Sequence, residues 1–330
     1  MTGSGAKQWS SERLTAGDRG PGVTVHELDS GRDGPSVLVL GGVHGNEVGG
    51  IVGAGRLTAG PLDLRAGRLR VVPVTHEAAF EADSRTGPAD GGNLARSFPG
   101  DPAGTPTQRL AALVGDRLIR GSDVLVDLHT STPATDMPFF AGGLDDGGPT
   151  ATTGVELAVA FGAGIVWTHG SLGPGRTLTL ARELGIPAIY VESPAGGVLD
   201  RALLDGYTGG VRNVLAHLGM LAAEAPPAPP GLWLHGDGDT DSFTVAPAAG
   251  LFLPEVELLD LVERGARVGS VLDPRGRELA VVTAPEAGHV ATLQRSAVVA
   301  AGTPVVGVAP ARPPVLGWPS DAVYTRVVAG

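Results

Sequence analysis

The sequence predicts an α/β domain built on a parallel or mixed sheet, followed by a smaller all-β domain. Three observations predict this. Short apolar runs alternate with stretches of helical apolar spacing from residue 36 to residue 221. A Pro-rich stretch, AAEAPPAPPG at 222–231, then changes the composition. Beyond it come only short β-like runs separated by Gly, Pro and Asp turns. The 330 residues also exceed the size at which one core usually stops growing. The expected division is 1–222, a linker at 223–231, and a β domain at 232–330.

Taken in order, SVLVL (36–40) reads as a buried strand that runs into the glycine-rich loop GGVHGNEVGG (41–50). Residues 51–57 suit a helix, and RLRVVPV (68–74) is a second strand. A helix is expected over 107–118, with Thr107 as its N-cap. DVLVDL (123–128) is a strand leading into His129. Helices follow at 156–161 and 179–184, then the strand AIYV (188–191) ending at Glu192, then a closing helix over 207–221. In the last third the β runs are SFTVA, GLFLP, RVGSVL, LAVVTA, AVVAA and PVVGVA. APAAGLF (246–252) and APEAGHV (284–290) form a weak internal repeat, as in small barrel-sandwich domains.

Composition narrows the chemistry. Hydrophobic residues make up 42% of the chain, enough for a packed core. The net charge of −11 argues against nucleic-acid and anionic-membrane partners, which demand clustered cations. Lys7 is the only lysine, which disfavours a lysine nucleophile. There is no cysteine, so disulfides and thiolate sites are excluded, and any metal must take His, Asp or Glu. No apolar run reaches membrane-spanning length, and the N-terminus lacks the apolar region of a signal peptide. A cytoplasmic protein is expected, with homo-oligomerisation left open.

His44, His129 and Glu192 each follow the C-terminal end of an expected strand, the edge where ligand crevices form in open α/β sheets. His44, Glu47 and His129 make a set that a hydrolytic zinc takes, with a position left for water. A lone His-x-x-Glu is weak evidence; His129 after an apolar strand strengthens it. Asp127 reads either as an acceptor behind a ligand imidazole or as a strand-end carboxylate. Glu192 reads either as a charge reaching solvent or as a general base. Arg85 and Arg96 lie in a Gly- and Pro-rich loop, where a guanidinium is either solvated or suited to carboxylates and oxyanions. The other histidines (26, 76, 169, 217, 235 and 289) read as surface or satisfied core residues.

The order GGVHGNE, then Arg85 and NLARSFPG, then DLHTS, then IYVESPAGG resembles the succinylglutamate desuccinylase/aspartoacylase family of the zinc carboxypeptidase-like superfamily. GYTGGVRNVLAHLGML resembles the end of that family's catalytic domain, and APAAGLFLPEVELLDLVERGARVGSVLDPRG its β domain. The resemblance implies a carboxypeptidase-like mixed sheet flanked by helices. It implies one zinc per chain on His44, Glu47 and His129, with Glu192 activating water and Arg85 polarising the scissile carbonyl. Arg96, Asn93 and, by a looser match, Arg176 would bind substrate. The family's N-L-N-R-x-F-P-G has Ala95 in place of its second asparagine here, which puts an acidic substrate in doubt.

The reading is a zinc-dependent amidohydrolase that deacylates an N-acylated amino acid or related small amide. A peptide-cleaving carboxypeptidase and a non-catalytic binding protein of the same fold are the rivals. A serine hydrolase is poorer, since no G-x-S-x-G elbow occurs.

Overall fold

The structure is a computed structural model that describes residues 8–18, 20–194, 196–222, 226–236 and 243–312, with the backbone pairing of Val327–Val328. Ten strands fall in its first part: β1 (Ser10–Thr15), β2 (Gly22–Asp29), β3 (Ser36–Gly41), β4 (Arg68–Val72), β5 (Val124–Leu128), β6 (Thr135–Asp136), β7 (Phe140–Leu144), β8 (Ile165–His169), β9 (Ala188–Glu192) and β10 (Leu232–Gly236). All but β6 form one sheet of order β1-β2-β4-β3-β5-β9-β7-β8-β10. It is mixed. β4, β3, β5 and β9 run parallel, β7 is antiparallel to β9, and β1 and β2 add antiparallel at one edge.

The helices are α1 (Val48–Thr58), α2 (Glu77–Glu81), α3 (Pro106–Arg117), α4 (Pro149–Phe161), α5 (Thr177–Glu183) and α6 (Arg201–His217). Alternation along the strands assigns the two faces of the sheet. Val37 and Val39 pack with α1, α4 and α6, while Leu38 and Leu40 pack with α3 and α5. Leu125 belongs to the second face, and Asp127 and His129 follow it at intervals of two. The candidate site therefore opens on the α3/α5 side.

The expected central strands are all present, with local differences. β4 stops at Val72, because Pro73 has no N–H for the ladder. The N-cap of α3 is Thr105, not Thr107. Thr105 and Gln108 close a capping box, and Pro106 takes the first helical position, where its missing N–H costs nothing. Thr107 is buried, and its N–H and hydroxyl both donate to the carboxylate of Asp90, at 2.8 Å each. α6 begins and ends earlier than expected. Asp200 caps its start by accepting from the Leu203 N–H, and the chain turns away beyond His217. Strands β1, β2, β6, β7, β8 and β10 were not anticipated. β1 is polar and exposed, and β7 reads FAGGL, which looks like a turn.

Two further sheets follow. β11 (Thr244–Val245), β13 (Leu261–Val262), β16 (Gly288–Gln294), β18 (Pro304–Ala309) and β19 (Val327–Val328) form one, which β6 joins by pairing with β16. β12 (Gly250–Pro254), β14 (Arg267–Leu272), β15 (Glu278–Thr283) and β17 (Val298–Val299) form the other. Both copies of the weak repeat have the same shape. Each is a bend opening on a buried alanine, Ala246 or Ala284, that leads into β12 or β16. One strand crosses the expected boundary at 231/232: β10, which follows the Pro-rich stretch, pairs in parallel with β8 of the first sheet.

Candidate active site

His44 and Glu47 lie between β3 and α1, and Glu47 occupies the N-cap position of that helix. The loop must press against the end of β5 to meet His129, and Gly50 permits this. A Cβ on Gly50 would lie 2.2 Å from the Leu128 carbonyl oxygen. His129 is fixed from both sides, its N–H donating to the Val191 carbonyl at 2.8 Å and its own carbonyl accepting from the Tyr207 hydroxyl.

The three residues converge. Oε1 of Glu47 lies 2.7 Å from Nδ1 of His44, and Oε2 lies 2.8 Å from Nδ1 of His129. One ligand atom from each falls within 4.8 Å of the others, and all three residues are buried. The far side of each ring is also held. His44 donates from Nε2 to Asn93 Oδ1 at 3.1 Å, and Nε2 of His129 lies 3.2 Å from Asp127 Oδ2. Partners on both Nε2 atoms leave both Nδ1 atoms facing the shared carboxylate, the orientation a metal-binding pair needs. This donor set, two imidazoles and one carboxylate, fits zinc.

Electrostatics support the same fit. Burial by itself would raise the Glu47 carboxyl, but the two imidazoles hold it well below the usual carboxylate range. Burial lowers His44. Burial also works to lower His129, but the carboxylates of Asp127 and Glu47 push it well above the ordinary imidazole value. Two buried carboxylates thus keep a positive charge at this point, where a cation would replace the proton.

A cleft of ≈ 80 Å³ opens over the group, lined by His44, Arg85, Arg96, His129, Arg176 and Glu192 among others. Glu192 reaches it from the end of β9, half-buried. Arg85 reaches it while its NH1 donates to Glu47 Oε1 at 2.6 Å. Arg96 ends a short 3₁₀ turn, Leu94–Arg96, and Arg176 occupies the N-cap position of α5. The loops carrying them are tied, since the Phe98 N–H donates to the Gly175 carbonyl at 3.0 Å.

Of the residues singled out from the sequence, the cleft gathers all but two. Glu47 lies beneath it, and Asn93 lies behind His44, its Oδ1 also accepting the Ala95 N–H at 3.0 Å. Asp127 stands behind His129, the first of its two readings, and also accepts from the Thr177 hydroxyl at 2.5 Å. His169 was expected to be an uninvolved surface or core residue, yet it lines the cleft together with Tyr190. Tyr190 was legible in principle, since it precedes Glu192 by two on a strand and so shares its face.

Comparisons with known proteins identify relatives of this chain. The model of the succinylglutamate desuccinylase/aspartoacylase catalytic domain matches residues 33–218. The N-alpha-acetyl-L-2,4-diaminobutyric acid deacetylase of Halomonas elongata is 34% identical over 248 residues, covering 73% of this chain and 71% of that protein. The product-bound structure of the ectoine utilization protein EutE (DoeB) from Ruegeria pomeroyi is 27% identical with a TM-score of 0.83, covering 92% of this chain and 96% of that one. A succinylglutamate desuccinylase from a Silicibacter species is also 27% identical, with a TM-score of 0.82 over 92% of this chain and 95% of that one.

Proposed function

We propose, since this chain belongs to the succinylglutamate desuccinylase/aspartoacylase family, that it is a zinc-dependent amidohydrolase removing an acyl group from an N-acylated amino acid. The observation that carries the reading is the shared cleft: Glu192, three arginines and the buried His44–Glu47–His129 group face one small space.

His44, Glu47 and His129 would hold one zinc, which when bound polarises the scissile carbonyl and activates water. The remaining work falls to the chain. Glu192 takes the proton of the attacking water and returns it to the leaving amine. Arg85 steadies the oxygen on which negative charge develops. Arg96 and Arg176 offer guanidinium forks to the substrate carboxylate. Asn93 and Asp127 hold the two imidazoles in the orientation that the metal requires. The expected second domain at 232–330, less the strand β10 that joins the first sheet, and a cytoplasmic location belong to the same proposal.

The Halomonas relative is named for an acetylated amino acid, so acetyl is the first acyl group to test. The experiment is a deacylation screen of zinc-loaded protein on acetyl, succinyl and formyl amino acids, with short peptides alongside. Turnover of N-acyl amino acids supports the reading. Cleavage of peptides alone makes the protein a carboxypeptidase. No turnover at full zinc loading makes it a binding protein.

A further inference from the structure

The phenol of Tyr207 is fully buried, and it stands where three parts of the candidate site meet. It comes from α6, and two glycines of α1 make room for it. Gly49 and Gly53 lie four residues apart and so share one face of that helix. A Cβ on Gly53 would lie 2.7 Å from Cβ of Tyr207, and one on Gly49 would lie 3.6 Å from its Cε2. The ring therefore runs along α1 towards the helix start, where Glu47 sits. Phe139 packs against it edge to face, with ring centroids 5.4 Å apart and planes at 83°.

The hydroxyl at the end of that ring has two partners. It donates to the carbonyl of His129, and it is hydrogen-bonded to the side chain of Ser193, the residue after Glu192. Ser193 is itself buried, and its carbonyl accepts from the Ser131 N–H at 2.9 Å. Burial pushes the phenol well above its ordinary value, so it stays neutral and keeps its proton to donate. Filling the space between α1 and α6 needs only the ring. A hydroxyl buried there is costly unless it is bonded, so its bonds are what distinguish this residue from a phenylalanine. Glu47 arrives from a loop, and His129 and Glu192 from separate strands, so their spacing depends on what ties those segments together. Tyr207 touches all three: the helix that starts after Glu47, the strand end that carries His129, and the residue next to Glu192.

Resting on the zinc-hydrolase reading, we propose that Tyr207 is a positioning residue whose hydroxyl sets the spacing of Glu47, His129 and Glu192. It acts through the His129 carbonyl and through Ser193, and takes no part in bond breaking.

The test measures zinc affinity by chelator competition, kcat at full zinc loading, and Tm of the zinc-free protein, for wild type, Tyr207→Phe, Ser193→Ala and Ser122→Ala. Ser122 is the control. It makes the same kind of buried bond, from its hydroxyl to the Leu118 carbonyl at 2.8 Å, but beyond the opposite end of β5 from His129. Each substitution should lower Tm. Tyr207→Phe should also weaken zinc binding by roughly tenfold, the low end for a group that supports a metal ligand. Its kcat at full loading should fall by roughly tenfold, within the roughly 10²-fold cost of a 1 Å misplacement. Ser193→Ala should lower kcat and keep zinc affinity, and Ser122→Ala should change neither. Zinc affinity in Tyr207→Phe equal to wild type, or lowered as much in Ser122→Ala, overturns the proposal and leaves the zinc-hydrolase reading standing. Wild-type kcat in Ser193→Ala overturns the part that concerns Glu192. A Tyr207-dependent zinc affinity in a protein that deacylates nothing supports the positioning role and sinks the deacylase reading alone. A wild type that binds no zinc overturns both.

Discussion

Asp127 Oδ2 lies 3.2 Å from Nε2 of His129, on the opposite side of the ring from Glu47. Asp127→Asn keeps the shape and loses the charge that orients and enriches this imidazole. Zinc affinity should drop by roughly 10–100-fold, the usual cost of a lost partner behind a metal ligand. Competition with a chromogenic chelator measures it; an affinity equal to wild type would mean that Asp127 does not support the metal.

Glu192→Gln should retain a full equivalent of zinc and lose turnover by roughly 10²–10⁴-fold, the scale of general acid–base catalysis. Elemental analysis and kcat on the same preparation separate the two effects. A zinc-replete Gln variant with near-normal kcat removes Glu192 from the mechanism.

Much of this site is legible in the sequence because its parts are local. His44 and Glu47 lie three apart in one loop, and the strand DVLVDL delivers His129 and Asp127 onto one face by alternation. What lies across strands is not legible. Tyr190 meets His169 over an intervening strand, FAGGL, whose paired glycines read as a turn until the ring lying against Gly142 is seen. Asn93 falls in a sequence motif that suggests substrate contact, yet its side-chain oxygen is committed to His44 and to the Ala95 N–H. The Thr105 cap was missed because the apolar periodicity of α3 starts later than its backbone does.

Ala95 lines the cleft next to Arg96, where a longer amide side chain would add a donor. Such a hydrogen bond to a charged group is worth about 1.5–3 kcal/mol. Wild type should therefore act weakly on N-acetylaspartate and N-succinylglutamate, and Ala95→Asn should shift preference towards them. Comparing kcat/KM over a matched panel decides it, and a wild type that already prefers these acids refutes the argument.

Asp90 ties the loop carrying Arg85 and Asn93 to the start of α3 through Thr107. Burial opposes its charge, but hydrogen bonds from Thr107, Thr105 and Gly92 outweigh it and lower its pKa from the ordinary 3.8. A carboxyl depressed in the fold stabilises above its unfolded value and loses that contribution as pH falls through the folded one. Asp90→Ala should cost about 1 kcal/mol at neutral pH, as for a lost helix cap. The difference in Tm from wild type should narrow below about pH 4, where the unfolded carboxyl begins to bind its proton. A gap that persists unchanged in acid would assign the loss to packing.

The strand Leu232–Gly236 has a consequence for how the molecule comes apart. It supplies the last rung of the first sheet, yet it is also stitched to the segment after β18, with His235 N–H on the Pro310 carbonyl and Arg312 N–H on the Trp233 carbonyl, both at 3.0 Å. A protease nick in the Pro-rich stretch before it would leave two pieces that still hold together. A chain that stopped at 231 would instead bare the flank of β8 as an open row of N–H and C=O groups beside Trp167, a template for stacking with other chains. Gly236 pairs with His169, so the same loss would strip the backing from a residue that lines the cleft. Truncation at the compositional border thus gives a sticky, ill-tuned fragment, and the smallest unit that folds cleanly extends past it.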